Sequence, residues 1–406
     1  MNQEMYQLNK PASDPANWML DPQVVFLNHG SFGSCPRAVL AYQRQLSDRL
    51  ERQPVKFLVR DLEGMLDAAR SALADFLGAK SDNLVFVQNA TAGVNTVLRS
   101  LKFQPGDELL VTDQEYNACR NALNFVADNS GAKVVVARVP FPFKTAAELV
   151  ESITRCVTPR TKLLLVNHVT CETGMVMPIA ALLRELAERG VDTLVDGAHT
   201  AGMVPLNLEA LGPAYYTGNC HKWLCSPKTV AFLYVRPDRQ NLIRPLIISH
   251  GANSRRTDRS RFLIEFGWPG TGDSSPALCV PEVLRVVGAM LPGGWPEVMA
   301  SNHALALAGR KIICDALNVP APCPDEFIGT MASIPLPDNP PNEPPVAPFF
   351  INPLQNRLLE KHNIEVPIMI WPALPKRLVR ISAQLYNSLP QYEVLAEALK
   401  KELRLN

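Results

Sequence analysis

One stretch of the sequence, Thr193–Val235, constrains the fold and the site more than any other. It contains three short apolar runs of the kind that form buried strands. The first run ends in Asp196, which small residues follow, and in an α/β sheet this pattern places a carboxylate at the carboxyl edge of the strands. Lys222 lies in the turn between the other two runs. We therefore expect Asp196 and Lys222 to face one site.

The neighbours of Lys222 suggest a chemical role for its amine. His221 and Trp223 flank it, and partial burial lowers the pKa of a lysine ammonium towards the nucleophilic neutral amine. Pyridoxal phosphate (PLP) needs such a lysine for covalent attachment and a carboxylate against its pyridine nitrogen, as Asp196 would supply. A structural alternative also fits these residues, in which Asp196 caps the following turn and Trp223 only covers Lys222.

Length and composition exclude several classes of protein. A chain of 406 residues exceeds one ordinary core and predicts two domains, one of them large. Its 40 basic residues nearly balance 39 acidic ones, so neither nucleic acid nor an anionic membrane is indicated as a partner. The nine cysteines lack metal-ligand spacing, and the N-terminus lacks an apolar targeting segment. We expect a soluble cytoplasmic protein without a metal site.

The alternation of strand-like and helical segments predicts an α/β fold. Seven strand-like runs are centred near residues 85, 110, 135, 164, 194, 216 and 232. Their order predicts a mostly parallel seven-stranded sheet with helices on both faces. We assign residues 24–275 to this large cofactor-binding domain and residues 276–406 to a smaller C-terminal α+β domain, with residues 1–23 as an arm packed on the body. The proline-rich run 334–348 predicts an exposed loop.

Four further places carry candidate site residues. Thr91 opens a helix after a strand, where free N–H groups suit a phosphate, although an ordinary N-cap fits equally. Tyr116 ends another strand and could stack on a cofactor or pack in the core. His29, in a glycine-flanked loop, could reach a site or be structural. Arg380 lies in an otherwise apolar strand and needs an anion, for which a carboxylate is a good match.

Several motifs occur in the order of a known family. They are LNHGSFG, NAT, DGAHTAG, TGNCHKW, WPGTGD and VRISAQLYN. The chain resembles the class V PLP enzymes of the aspartate aminotransferase-like fold, a group that contains cysteine desulfurases and isopenicillin N epimerase. The motif LNHGSFG is similar to that of the epimerase branch. The resemblance implies PLP as the cofactor, an amino-acid substrate and a homodimer with shared active sites.

The resemblance also implies roles for single residues around the cofactor. It assigns the phosphate to Thr91, Ala92, His221 and, from the neighbouring subunit, Thr271. Tyr116 would stack on the ring. Cysteine desulfurases tend to carry an asparagine where Cys171 stands, so the contact to the ring hydroxyl would fall to Thr170 or His199. On the substrate side, the resemblance implies that His29 approaches the substrate and that Arg380 holds its carboxylate.

The expected chemistry is proton transfer at the α-carbon of an amino acid, with Lys222 as base and acid. Epimerisation would need a second proton donor, such as Tyr116 or His29, whereas C–S lyase chemistry needs only Lys222; transamination is an alternative. The cysteine desulfurases that this chain resembles present a reactive cysteine upstream of the carboxylate-binding arginine. No cysteine lies between Asn363 and Arg380, so cysteine desulfuration is disfavoured. A different kind of function would be that of a binding or regulatory protein that has this fold without catalytic activity. The presence of Asp196, Lys222 and Arg380 together argues against it.

Overall fold

The computed structural model describes residues 7–344 and 351–405. The described strands are β1 (Val25–Phe26), β2 (Leu84–Val87), β3 (Glu108–Thr112), β4 (Lys133–Ala137), β5 (Thr161–Asn167), β6 (Asp192–Asp196), β7 (Tyr215–Asn219), β8 (Ala231–Val235), β9 (Met331–Leu336), β10 (Ile364–Glu365), β11 (Ile368–Ile370) and β12 (Arg377–Ser382). Strands β2 to β8 lie where the seven apolar runs predict them.

The helices fill the intervals between these strands. They are α1 (His29–Phe32), α2 (Arg37–Arg52), α3 (Leu62–Leu77), α4 (Ala90–Ser100), α5 (Asn117–Ser130), α6 (Ala146–Thr154), α7 (Ile179–Glu188), α8 (Leu208–Leu211), α9 (Arg261–Gly267), α10 (Ser275–Leu278), α11 (Val280–Gly288), α12 (Gly294–Leu317), α13 (Pro353–His362) and α14 (Leu389–Leu403). A π-helix, Lys56–Asp61, leads into α3. Among the described residues, none of the helices has the length and the apolar character needed to cross a bilayer.

The large sheet confirms the predicted α/β fold. Its strand order is β2-β8-β7-β6-β5-β3-β4, and only β8 runs antiparallel to its neighbours. Leu163 and Leu165 of β5 belong to one hydrophobic cluster, and Leu164 and Val166 belong to another. Because successive side chains of a strand point to opposite faces, the sheet is covered on both faces, as parallel sheets require.

The carboxyl ends of the parallel strands bring polar side chains to one edge. Asn167 ends β5 and is paired in register with Asp196, which ends β6. Asn219 ends the next strand, β7. Helices α4 and α5 begin shortly after β2 and β3, so their N-termini lie at the same edge. This arrangement is typical of the ligand crevice of open α/β sheets.

The C-terminal part contains the smaller α+β unit that the sequence predicts. Strands β11, β12 and β9 form an antiparallel sheet in that order, and α12 packs on α14. Strand β1 pairs in parallel with β10, and the backbone N–H of Ser13 donates to Leu385 O, so the N-terminal segment joins this part of the chain. The exact division at residues 23/24 and 275/276 stays a prediction, and residues 1–6 of the arm lie outside the described residues.

The prediction of an exposed loop over residues 334–348 is wrong at its start. Ile334 and Leu336 are buried in β9, and Pro335 lies between them opposite Leu378. Strand β9 is the edge strand of its sheet, where a proline breaks no ladder on its outer side. Residues 345–350 of the run lie outside the described residues.

Candidate active site

A cavity of about 450 Å³ opens at the carboxyl edge of the large sheet. The predicted site residues that line it are Thr91, Tyr116, Asp196, His199, His221 and Lys222. These side chains lie at or just after the ends of β2, β3, β6 and β7, so the fold itself assembles them. The structure thus brings most of the predicted cofactor contacts into one place.

The amine of Lys222 belongs to a hydrogen-bond chain that fixes its protonation state. Trp223 Nε1 donates to His199 Nδ1 at 3.3 Å, and His199 Nε2 lies 3.1 Å from Lys222 Nζ. Burial holds the pKa of His199 well below its ordinary value, so the ring is neutral and its proton is on Nε2. The Nε2–H then donates to the lone pair of Nζ. Burial lowers the pKa of Lys222 as well, which agrees with a neutral, nucleophilic amine.

Asp196 lies at the other side of the cavity with a fixed carboxylate. Its Oδ1 accepts the N–H of Ala198 at 2.9 Å, and its Oδ2 accepts the thiol of Cys119 at 3.3 Å. Burial raises the pKa of Asp196, while the Ala198 N–H and the Cys119 thiol act in the opposite direction. Such a site is ready for a cationic partner, because a positive charge would offset the cost of burying the carboxylate.

The start of α4 offers one free backbone donor to the cavity. The N–H of Ala90 donates to Asn219 Oδ1, and the N–H of Ala92 donates to the side chain of the N-cap residue Asn89. The N–H of Thr91 has no partner among the described residues, and Thr91 lines the cavity. A free N–H at a helix N-terminus suits an anion such as a phosphate. Ala92 itself does not line the cavity.

Arg380 lies directly behind the cavity wall and is 1% exposed. Its Nη1 donates to Cys171 O at 2.6 Å and lies 3.3 Å from Cys171 Sγ, and its Nη2 donates to Ser31 Oγ at 2.9 Å. Ser31 and Cys171 both line the cavity. Within the described residues no carboxylate forms an ion pair with Arg380, and its Nε has no partner. A carboxylate would pair with the buried charge and with the free N–H of Nε.

Besides Ala92 and Arg380, three further predicted site residues do not line the cavity. His29 is fully buried on the far side of Lys222, where its ring contacts Tyr386 Oη at 2.8 Å and Lys222 O at 3.0 Å. The hydroxyl of Thr170 is bonded to Thr173 and to the N–H of Met175, which leaves His199 as the candidate for the ring hydroxyl. Thr271 lies on an exposed loop away from this cavity.

Several lining residues were not predicted from the sequence. Asn167 and Asn219 end strands β5 and β7, so the signal that singled out Asp196, a polar residue after an apolar run, also marks them. Ser31 lies inside the LNHGSFG motif next to His29. Lys228 also lines the cavity, where its Nζ donates to Gly33 O at 3.2 Å. No pattern in the sequence distinguishes Lys228 from a surface lysine.

Comparison with known proteins agrees with this site. A sequence model of the class-V aminotransferases matches residues 33–261. The chain belongs to the class-V aminotransferase family. Isopenicillin N epimerase of Amycolatopsis lactamdurans is 34% identical to this class-V enzyme over 397 residues, which cover 94% of the chain and 96% of the relative. A protein named probable L-cysteine desulfhydrase, chloroplastic, of Arabidopsis thaliana is 30% identical to it over 95% of this chain and 84% of the relative.

Solved structures share the fold of this class-V enzyme. A C-DES variant with glycine covalently linked to its PLP cofactor superposes with a TM-score of 0.75 at 21% identity and covers 93% of this chain and 96% of that one. The cysteine desulfurase CsdA of Escherichia coli gives a TM-score of 0.75 at 20% identity, and the superposition covers 100% of this chain and 99% of that one. At these identities the similarity concerns the fold.

The cofactor of this class-V enzyme is PLP, and the cavity fits it. Lys222 would supply the amine for covalent attachment, Asp196 the carboxylate for the pyridine nitrogen, and Thr91 a free N–H for the phosphate. Tyr116 lines the cavity and is 43% exposed, so its ring is accessible for stacking on an aromatic cofactor. When bound, PLP withdraws electrons from the α-carbon of an attached amino acid and makes its α-proton labile.

Proposed function

We propose that this enzyme is a C–S lyase that eliminates the sulfur substituent from the β-carbon of a small amino acid. The observation that carries the proposal is the chain from Trp223 through His199 to Lys222, which leaves one neutral amine inside the cavity. A β-elimination needs one base at the α-carbon and a good leaving group at the β-carbon, and both are then available. The role of each site residue below is part of this proposal.

The residues of the chain would act in sequence. Arg380 binds the substrate carboxylate and fixes the position of the α-carbon. Lys222 Nζ takes the α-proton, and the β-carbon–sulfur bond breaks with its electron pair remaining on the thiolate, which then takes a proton. Hydrolysis releases ammonia and a 2-oxo acid, so amino acid and water are converted into 2-oxo acid, ammonia and thiol. Asp196 stays ionised throughout and stabilises positive charge on the ring nitrogen.

The size of the cavity supports a small substrate. PLP and the substrate have to share about 450 Å³. The wall around Arg380 is close-packed, since Ser31 Oγ and Cys171 O both lie within 3 Å of its guanidinium. Amino acids of the size of cysteine suit this volume better than much larger substrates do. The similarity to L-cysteine desulfhydrases of Arabidopsis thaliana supports the same reaction class.

Epimerisation is the second candidate, because one observation favours it. Tyr116 lines the same cavity, and burial raises the pKa of its phenol, which therefore stays protonated at neutral pH. A phenol on the face of the ring opposite Lys222 would supply the second proton that inversion at the α-carbon requires. The 34% identity to an isopenicillin N epimerase supports this alternative.

A product analysis separates these functions. We expect the purified enzyme, incubated with L-cysteine or S-substituted cysteines, to form pyruvate, ammonia and the thiol in equal amounts. Sulfide or thiol, keto acid and the stereochemistry of the remaining substrate are followed in the same samples. Inversion without keto acid would instead establish an epimerase, and keto acid formed only with an amino acceptor would establish a transaminase. A colourless protein without bound PLP would favour a binding role.

We infer that the enzyme is a homodimer in the cytoplasm, with a phosphate contact contributed across the interface. Large apolar side chains are exposed at Phe32, which lines the cavity, and at Val55, Val59, Ile247 and Ile248. Ion pairs from Arg256 to Glu63 join the two segments that carry most of them. Exposed apolar groups of this kind mark an interface between copies of a chain. The nine free cysteines support a reducing compartment.

Subunit complementation tests the shared site. Lys222→Ala and Thr271→Asp should each be inactive, the second because a carboxylate repels the phosphate. A heterodimer would contain one intact site, so mixing the two variants after dissociation, or co-expressing them with different tags, should restore part of the activity. The assay is turnover of the isolated heterodimer. An inactive heterodimer, or an active enzyme that sediments as a monomer, would contradict the arrangement.

A further inference from the structure

A second buried carboxyl group lies beside Asp196, in a place that the proposed mechanism does not use. Glu115 follows β3 and is buried. One carboxylate oxygen of Glu115, one of Asp196 and the sulfur of Cys119 lie within 4.8 Å of one another. Two ionised carboxylates at this distance in a buried site would repel each other strongly, so one of them has to keep its proton. Which one keeps it decides where the negative charge of the site is located.

The hydrogen bonds of Glu115 indicate its protonation state. Asn167 Nδ2 donates to Glu115 Oε1 at 3.0 Å, and the backbone N–H of Tyr116 donates to the same oxygen at 3.0 Å. The two remaining polar atoms of this pair, Glu115 Oε2 and Asn167 Oδ1, are both buried and have no hydrogen-bond partner. Two buried orphan atoms on two groups that already contact each other are rare in a native interior.

A single proton satisfies both orphan atoms. A carboxylic acid and a primary amide form a cyclic pair in which the amide N–H donates to the carbonyl oxygen of the acid and the acid O–H donates to the oxygen of the amide. Asn167 already makes the first of these bonds. Ionised Glu115 would have only acceptors and would leave Asn167 Oδ1 unpaired.

We propose that Glu115 is a positioning residue that acts as a neutral carboxylic acid, with Oε2–H donated to Asn167 Oδ1. This pair fixes the amide of Asn167, which lines the cavity, and through its contact with the Tyr116 N–H it fixes the start of α5. It also leaves Asp196 as the charged member of the cluster. The pairing of Glu115 with Asn167 follows from the hydrogen bonds alone. Only its effect on catalysis rests on the proposed role of Asp196.

The groups that face Glu115 support this assignment. Burial raises the pKa of Glu115 well above its ordinary value and the charges of Asp196 and Glu172 raise it further, which together outweigh the lowering by the N–H groups of Asn167 and Tyr116. Asp196 has the Ala198 N–H and the Cys119 thiol to favour its ionised form. Of the two carboxyls, Asp196 is therefore the one that ionises.

A metal ion is a poorer explanation of the same cluster. Metal binding would need Cys119 as a thiolate. Cys119 instead donates its S–H to Asp196 Oδ2, and burial raises the pKa of this thiol well above its ordinary value. Glu115 Oε1 already accepts two N–H groups. Of the ligand atoms that the three residues offer, only Glu115 Oε2 has no hydrogen bond among the described residues, and one oxygen does not make a metal site.

Glutamine at position 115 tests the proposal because its amide reproduces the donor and acceptor pattern of the neutral acid. We expect Glu115→Gln to keep the cofactor-binding affinity, the pH midpoint of the visible absorption of the bound cofactor, and kcat. Glu115→Ala should lower kcat by up to about 100-fold through misplacement of Asn167 and Tyr116, with KM changed less. If Glu115 is ionised instead, Glu115→Gln removes a negative charge and lowers the midpoint of the cofactor titration, which would overturn the proposal.

A second measurement uses the apoprotein and does not depend on any reaction. A carboxyl whose pKa is raised by folding stabilises the native state while it is protonated, and this contribution is lost as the pH rises from the ordinary value through the raised one. The unfolding temperature of the wild-type apoprotein should therefore fall towards alkaline pH relative to that of Glu115→Gln. Identical pH profiles for the two proteins would refute the neutral acid, whereas absence of C–S lyase activity would leave this result unaffected.

Discussion

Replacement of Lys222 by alanine is expected to lower kcat by at least about 10³-fold, since a positioned general base alone contributes about 10²–10⁴-fold and this lysine also holds the cofactor. The variant loses the amine that His199 Nε2 contacts at 3.1 Å, and nothing else among the described residues places a neutral amine next to that ring. Turnover under saturating substrate measures the loss. Borohydride reduction followed by peptide mapping should attach the cofactor to Lys222 in the wild type.

Lys228 provides a matched control for this experiment. It lines the same cavity, but its Nζ donates to Gly33 O rather than to a catalytic partner. Lys228→Ala should therefore keep the covalent label on Lys222. Small primary amines added to Lys222→Ala should restore part of the turnover, because truncation leaves space where Nζ was. A label found on Lys228 in the wild type, or full activity of Lys222→Ala, would remove the basis of the assignment.

The sequence predicted the sheet and the main site residues for one physical reason. Strands that are buried on both faces appear as continuous apolar runs, and a polar residue that ends such a run lies at the edge of the sheet. Asp196 has this signature, and Lys222 lies in a turn between two such runs. Strand β9 was missed because prolines interrupt its apolar run, and an edge strand tolerates a proline that a central strand does not.

Contacts between distant parts of the chain could not be predicted in this way. The ring of His29 is bonded to Tyr386, 357 positions further along the chain, and no local pattern shows that α1 packs against the backbone of Lys222. The pair of Glu115 and Asn167 joins residues 52 positions apart and is visible only as a hydrogen bond with two unpaired atoms beside it. Sequence patterns indicate which edge a residue reaches, whereas its partners depend on the packing of several elements.

Asp196→Asn is expected to separate catalysis from stability. The side chain keeps its shape, and Oδ1 can still accept the N–H of Ala198, so the fold is retained. The negative charge that stabilises a protonated ring nitrogen is lost, and kcat should fall on the order of 10²–10³-fold, the effect typical of removing one preorganised electrostatic contact. Turnover and the absorption spectrum of the bound cofactor measure this loss.

The stability of the Asp196→Asn apoprotein should not fall as its kcat does. Burial raises the pKa of Asp196, so the ionised carboxylate costs the apoprotein stability at any pH above the ordinary value for an aspartate. The asparagine variant lacks this cost, and its apoprotein should unfold at a temperature no lower than that of the wild type at neutral pH. Asp113→Asn is the matched control, because Asp113 follows β3 at the same sheet edge, accepts the N–H of Val139 and does not line the cavity. Full turnover in Asp196→Asn, or equal losses in both variants, would show that Asp196 is a structural cap and not the partner of the cofactor ring.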